Sequence, residues 1–195
     1  MEPTVAGIHR LVALIQPWDE LEAAHQGATL RWLEGTDDVF RREKPATPEP
    51  HLVSYVVPVE PATASFFLVA HIRAQLWLPP GGHVESGEHP ADAARREAHE
   101  ELGLAMGHEG IGAIPAFVTV TPTVGADHHT DVSLWFLCDA GPGTEMTANG
   151  SEFSDARWWK RDEIELAPRR WFDPHFGRFL AKLEARTSGR SCEET

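Results

Sequence analysis

The sequence predicts an α/β domain that carries a helical N-terminal extension. Three features lead there: helical apolar spacing over the first 44 residues, short β-branched and aromatic runs on both sides of one charged helix, and a closing stretch with a single apolar face.

In the extension Leu11, Leu14 and Ile15, then Leu21, Ala24, Leu30 and Leu33, recur at helical spacing, and Pro17 and Asp19 mark a break and a new start. Lys44 to Pro50 holds three prolines and reads as a linker. The expected division is a helical extension and linker over 1–48, a main domain over 49–187 and a polar tail over 188–195. From His51 the runs LVSYVVPV and SFFLVAHI suit two strands joined by a turn around Pro61, and Gln75 to Leu78 suits a third. A helix is predicted over Pro90 to Leu102. Strands follow over Ala113 to Thr121, Asp131 to Leu137 and Ala156 to Trp159. From about Pro174, Phe176, Phe179, Leu180 and Leu183 share one helical face.

Thirty acidic against seventeen basic residues give a formal charge of −13 in a chain of 195 residues, the wrong sign for holding bulk nucleic acid through its phosphates. The same charge suits a phosphorylated substrate only if divalent cations stand between carboxylates and phosphate oxygens. The 42% hydrophobic content belongs to a globular chain with a real core. Cys138 and Cys192 are too few and too differently placed for a disulfide framework or a thiolate zinc site. The start does not resemble a secretory signal, and no segment approaches the roughly 20 apolar residues that span a bilayer. A cytoplasmic protein without a membrane partner is expected.

The informative segment is LPPGGHVESGEHPADAARREAHEELGL, Leu78 to Leu104. Pro90 suits the first helical position with His89 as N-cap, Asp92 lies in the acidic first turn, and Gly103 supplies the stop. At about 100° per residue, Ala91, Ala94, Ala98 and Leu102 form an apolar stripe, with Glu97, Glu100 and Glu101 crowded beside it. Glu97 and Glu101 repel at i, i+4 unless cations neutralise them, and clustered hard oxygens suit Mg²⁺, with Mn²⁺ as a substitute. A charged run of this kind is, by itself, most often a solvated face.

The spacing decides otherwise. Gly82, five residues, Glu88, seven residues, Arg96-Glu97, Ala98, one residue, Glu100-Glu101, one residue, Gly103 and Leu104 resemble the complete Nudix box. The resemblance implies an α/β/α sandwich with a mixed sheet and metal-dependent hydrolysis of a diphosphate linkage in a small nucleotide substrate. It also implies metal ligation by Glu97, Glu100, Glu101 and the carbonyl of Gly81, with Arg96 orienting Glu97 and with Gly82 and Glu88 in support. The general base it implies is Glu97 or a later acid, for which Glu152, just before ARWW, is preferred over Glu145.

His129, Asp131 and Trp135, in and just before a predicted strand, are candidate substrate contacts, and metal contact is a second role for the polar pair. Trp135 is equally readable as core. His83 and His99 occupy variable box positions and are expected at the surface. Substrate tags are missing: the proline of many ADP-ribose hydrolases falls at Val120, and Tyr55 is the only tyrosine. A nucleoside triphosphate, an oxidised nucleotide or a nucleotide sugar remains open. Two rivals are weaker. A non-catalytic Nudix binding module would usually lose box glutamates, and a diphosphate isomerase needs a site cysteine. The extension is left with three roles: covering the site, forming a homodimer interface or completing the core.

Overall fold

The computed structural model describes residues 4–43, 47–104, 110–123, 128–140, 144–148 and 152–190, with side chains as far as residue 186. Helix α1 (Val5–Ala13) is capped by Thr4, and α2 (Glu20–Gly35) by Asp19, whose carboxylate accepts the Glu22 N–H at 2.7 Å. The break predicted at Pro17 and Asp19 is therefore real. Gln26 donates to the carbonyls of Val12 and Ile15 at 2.9 and 2.7 Å, satisfying the open C-terminal end of α1 from the neighbouring helix.

The strands are β1 (His51–Glu60), β2 (Ser65–His71), β3 (Leu76–Leu78), β4 (Gly81–His83), β5 (Phe117–Pro122), β6 (Thr130–Asp139) and β7 (Phe153–Lys160). Helix α3 (Pro90–Leu102) lies between β4 and β5, α4 (Arg161–Leu166) follows β7, and α5 (Phe176–Arg190) ends the described chain. Strand β5 begins later than the sequence suggests, after Pro115, which has no N–H to give to a ladder. The short strand β4, before α3, and the helix α4 were not foreseen.

One seven-stranded sheet runs in the order β3-β2-β1-β6-β5, with β4 added to β1 and β7 to β2. It is mixed, because β1 and β6 are parallel over their whole length, from His51 opposite Asp131 to Val59 opposite Asp139. The other edge of β1 is shared: Val53 to Tyr55 pair with β4, and Val59 and Glu60 pair with β2. Pro58 falls in the gap between these two ladders, where its missing N–H costs no hydrogen bond on that edge.

Apolar side chains gather on both faces. One cluster joins Leu52, Val56, Leu134 and Phe136 to the alanines of α3 and to Ile8, Leu11, Val12, Ile15 and Leu33 of the extension. The other packs Leu68, Phe117, Trp135 and Trp159 against Phe176, Phe179 and Leu180 of α5. Helices on both faces of a mixed sheet make the α/β/α sandwich, and the extension completes one of its cores. Among the described residues no helix is long and apolar enough to cross a membrane.

The extension is also tied to α5 by charge. Glu22 and Lys182 form an ion pair whose side chains are 0% and 1% exposed, and burial lowers the Lys182 pKa while Glu22 holds it up. Breaking a buried pair from one side leaves an uncompensated charge, so Lys182→Met is expected to cost about 3–5 kcal/mol in chemical denaturation. Glu22→Leu combined with Lys182→Met should recover most of that loss.

Asp19 is paired with Arg178, which holds its carboxyl at about 2 against an ordinary 3.8. A depressed carboxylate stabilises the fold above its ordinary value and loses that contribution as pH falls towards about 2. Asp19→Asn keeps a capping side chain, so its melting temperature should depend less steeply on pH across that acid window.

Candidate active site

Helix α3 begins and ends where the residue types dictate. The His89 ring accepts the Ala91 N–H, Pro90 opens the helix, and Gly103 closes it in the left-handed region at φ 68°. Ala91, Ala94, Ala98 and Leu102 are buried against the sheet, and the Ser54 hydroxyl donates to the Pro90 carbonyl at 2.8 Å. This fixes the rotation of the helix. Glu97 is consequently turned inward and buried, Glu101 is half-buried, and Glu100 is exposed.

Arg96 organises the carboxylates. It grips Glu88 with two bonds of 3.0 Å, donates to Glu97 at 2.7 Å and to Glu100 at 3.3 Å, and reaches the His83 carbonyl at 3.0 Å. The Arg96 pKa rises above its ordinary value, chiefly through Glu88. Burial pushes the Glu97 carboxyl up while Arg96 pulls it down. Glu101 is pushed up to about 8 by burial and by the charge of Glu97, and the Gly81 N–H opposes this by donating to it at 2.9 Å.

Two glycines let the strand come this close. A Cβ on Gly82 would stand 2.3 Å from a Glu97 carboxylate oxygen. One on Gly81, at φ 152°, would stand 2.3 Å from the Ser54 carbonyl oxygen. Gly82 thus leaves room for a carboxylate, and Gly81 for the neighbouring backbone.

The remaining predicted residues divide. Glu152 is 61% exposed at its side chain, lies 3.8 Å from His71, and contributes its charge to the raised pKa of Glu101. Glu145 is exposed, in a segment whose Thr147 N–H bonds Leu102 at the C-terminal end of α3. Trp135 does not face a substrate. It is fully buried among Tyr55, Phe117, Phe176 and Phe179, and its indole N–H donates to Thr119 at 3.1 Å, because its position in β6 points towards α5. His129 and Asp131 come together with His51 and His83 instead of with the glutamates. His83 is therefore half-buried within that group, whereas His99 is exposed as expected.

The family model of the NUDIX domain matches residues 49–180. The chain belongs to the Nudix family. Hydrolases of this family act on nucleoside diphosphate derivatives, and this chain has the make-up of a Nudix pyrophosphohydrolase with every box glutamate in place. It is 27% identical over 110 residues to the uncharacterized Nudix hydrolase YvcI of Bacillus subtilis, covering 56% of this chain and 67% of that protein. It is 30% identical over 105 residues to Nudix hydrolase 25 of Arabidopsis thaliana, covering 45% of this chain and 59% of that one. Among solved structures, the NUDIX domain of Shewanella oneidensis NrtR, complexed with ADP ribose, superposes with a TM-score of 0.57 at 14% identity, over 75% of this chain and 94% of the other.

Outside the Nudix box, sequence reasoning missed His51 and Arg41. Arg41, from the extension, is half-buried, and burial lowers its pKa against the opposing charges of Asp131 and Glu152. Its signal was weak, an arginine next to a proline-rich linker. The glycines predict a contrast between two substitutions. Gly81→Ala meets backbone in a strained conformation and should cost about 1–3 kcal/mol of stability. Gly82→Ala meets only the end of a side chain, so thermal melting should show a smaller loss while divalent-cation binding, measured by calorimetry, falls because Glu97 is displaced.

Proposed function

We propose that this Nudix protein hydrolyses the diphosphate linkage of a nucleoside diphosphate derivative with the help of Mg²⁺, for which Mn²⁺ can substitute. The observation that carries the proposal is the Arg96 network. It holds Glu97 at 2.7 Å and Glu100 at 3.3 Å while Glu101 is held at 2.9 Å by the Gly81 N–H, so three carboxylates converge, and burial makes the negative charge of Glu97 and Glu101 unfavourable.

That donor set fits a hard divalent cation, since it offers only oxygens, and the room beside Gly82 is filled by the Glu97 carboxylate itself. Glu97, Glu100 and Glu101, with the Gly81 carbonyl, would hold it. Bound there, such an ion would supply charge neutralisation for the diphosphate and a more acidic water.

The chain's own side chains do the rest. Arg96 spends its guanidinium on Glu88, Glu97 and Glu100, which fixes the glutamate oxygens in direction before substrate arrives. Glu88 is a positioning residue, because its contact is with Arg96 and the Glu85 N–H. Glu97, clamped by Arg96, is assigned to ligation. Glu152 is assigned as the general base: its exposed carboxylate can approach the attacking water, and its charge is felt at Glu101. The substrates in view are a nucleoside triphosphate, an oxidised nucleotide or a nucleotide sugar.

Turnover of a substrate panel in Mg²⁺ tests the proposal. Glu101→Gln should lower kcat by orders of magnitude with its melting curve intact, and unchanged hydrolysis in that variant would sink the metal assignment. Glu152→Gln should lower kcat by about 10²–10⁴-fold with KM and Mg²⁺ binding unchanged, whereas turnover identical to wild type would return the base to Glu97. A blank across the whole panel would favour a binding module.

A further inference from the structure

A second group of metal-ligating side chains lies on the other face of β4. Gly82 faces Glu97, so the next residue, His83, points to the opposite side of the sheet. There it meets His51, the first residue of β1, and His129 and Asp131 at the start of β6. The register explains the meeting. His83 pairs next to Val53, two residues along β1 from His51, while His51 stands opposite Asp131, and the His-x-Asp spacing puts His129 on the same face. We propose that His51, His83, His129 and Asp131 bind a divalent transition-metal ion of the zinc class, at a site separate from the box glutamates.

One ligand atom from each residue lies within 4.8 Å of the others. His51 Nε2 and His129 Nε2 are each 3.2 Å from Asp131 Oδ1. Four donors bound at 2.0–2.1 Å around a tetrahedral ion stand about 3.3 Å apart, so these separations already match two edges of such a site.

The rings are also presented the right way round. His51 Nδ1 is 2.8 Å from the Pro48 carbonyl, which only accepts, so that nitrogen carries the hydrogen and Nε2 faces Asp131. The Thr123 hydroxyl accepts the His129 N–H at 3.0 Å and lies 3.2 Å from both the His129 carbonyl and its Nδ1, so it orients the ring from the side away from Nε2. An imidazole whose far N–H is fixed by a carbonyl or hydroxyl is the usual form of a metal ligand. Yet His51 Nε2 and Asp131 Oδ1, both buried, complete no hydrogen bond with each other or with anything else, and the Thr121 hydroxyl, opposite Asp131 in the ladder, is buried in the same condition. Donors converging on a shared point explain that cluster better than hydrogen bonding does.

Three imidazoles and one carboxylate favour zinc or a neighbouring first-row ion over Mg²⁺. Four protein ligands close the site, so the ion's role is structural: it would clamp β1, β4 and β6 together and hold the strand that carries Gly81 and Gly82. Arg41, whose charge interacts with Asp131, lies nearby.

This inference does not depend on the hydrolase reading. Its test uses the full chain, stripped with a chelator, dialysed and titrated with Co²⁺ and then Zn²⁺. One tight equivalent per chain is expected, giving the intense visible bands of four-coordinate cobalt and displaced by zinc. Glu101→Gln should keep it, and His51→Gln and Asp131→Asn should lose it. Thr123→Val should weaken it by about 10–100-fold, with recovery in Thr123→Ser. If the ligand variants do not fold, the wild-type spectrum and the Thr123 pair still decide. No tight equivalent, a weak six-coordinate spectrum, or an equivalent lost in Glu101→Gln and kept in His51→Gln would each overturn the proposal. So would a raised KM in the histidine variants with no ion bound to wild type, which would make the cluster a substrate contact.

Discussion

Arg96 is the residue on which the arrangement of this site depends. Its guanidinium binds Glu88 from the loop before α3, Glu97 and Glu100 from the helix itself, and the carbonyl of His83 from β4. One planar cation therefore joins a loop, a helix and a strand that packing alone would leave free to slide. Because its bonds to Glu88 are paired, the orientation is set as well as the distance. Burial first, and then the neighbouring carboxylates, push the Glu97 and Glu101 carboxyls up, against Arg96 at Glu97 and the Gly81 N–H at Glu101. The residual negative field is what would attract a hard cation.

Strand β4 is the other half of the device. Three residues long and two of them glycine, it is a poor strand by intrinsic preference, and it is held by its ladder to β1 and by bonds from its backbone to Arg96 and Glu101. Each residue serves a different neighbour. Gly81 lets the β1 backbone approach, Gly82 admits the Glu97 carboxylate, and His83 turns to the histidine cluster. The extension reinforces the same region from behind, since Ile8, Val12 and Ile15 share a core with the alanines of α3.

Local signals made much of this legible. The ends of α3 were readable to the residue because Pro90 and Gly103 have strong positional preferences, and the spacing of glycine, arginine and glutamates pointed to the family. What stayed hidden depended on pairings between distant segments. Nothing local places His51 opposite Asp131, since that contact requires the parallel register of β1 and β6. His83 looked like a variable surface position because its direction follows from a strand too short and glycine-rich to be predicted. Trp135 was ambiguous between substrate and core, and only the position of α5 shows which side of β6 is lined with aromatic rings.

The central claim is that Arg96 prepares the glutamates for cation binding and turnover. Calorimetric titration of Mg²⁺ into Arg96→Gln, with hydrolysis of the preferred panel substrate measured on the same preparation, tests it most directly. The account predicts that cation affinity and kcat fall together while far-ultraviolet circular dichroism stays that of the wild type. A folded Arg96→Gln protein that binds Mg²⁺ and turns over like the wild type would contradict it.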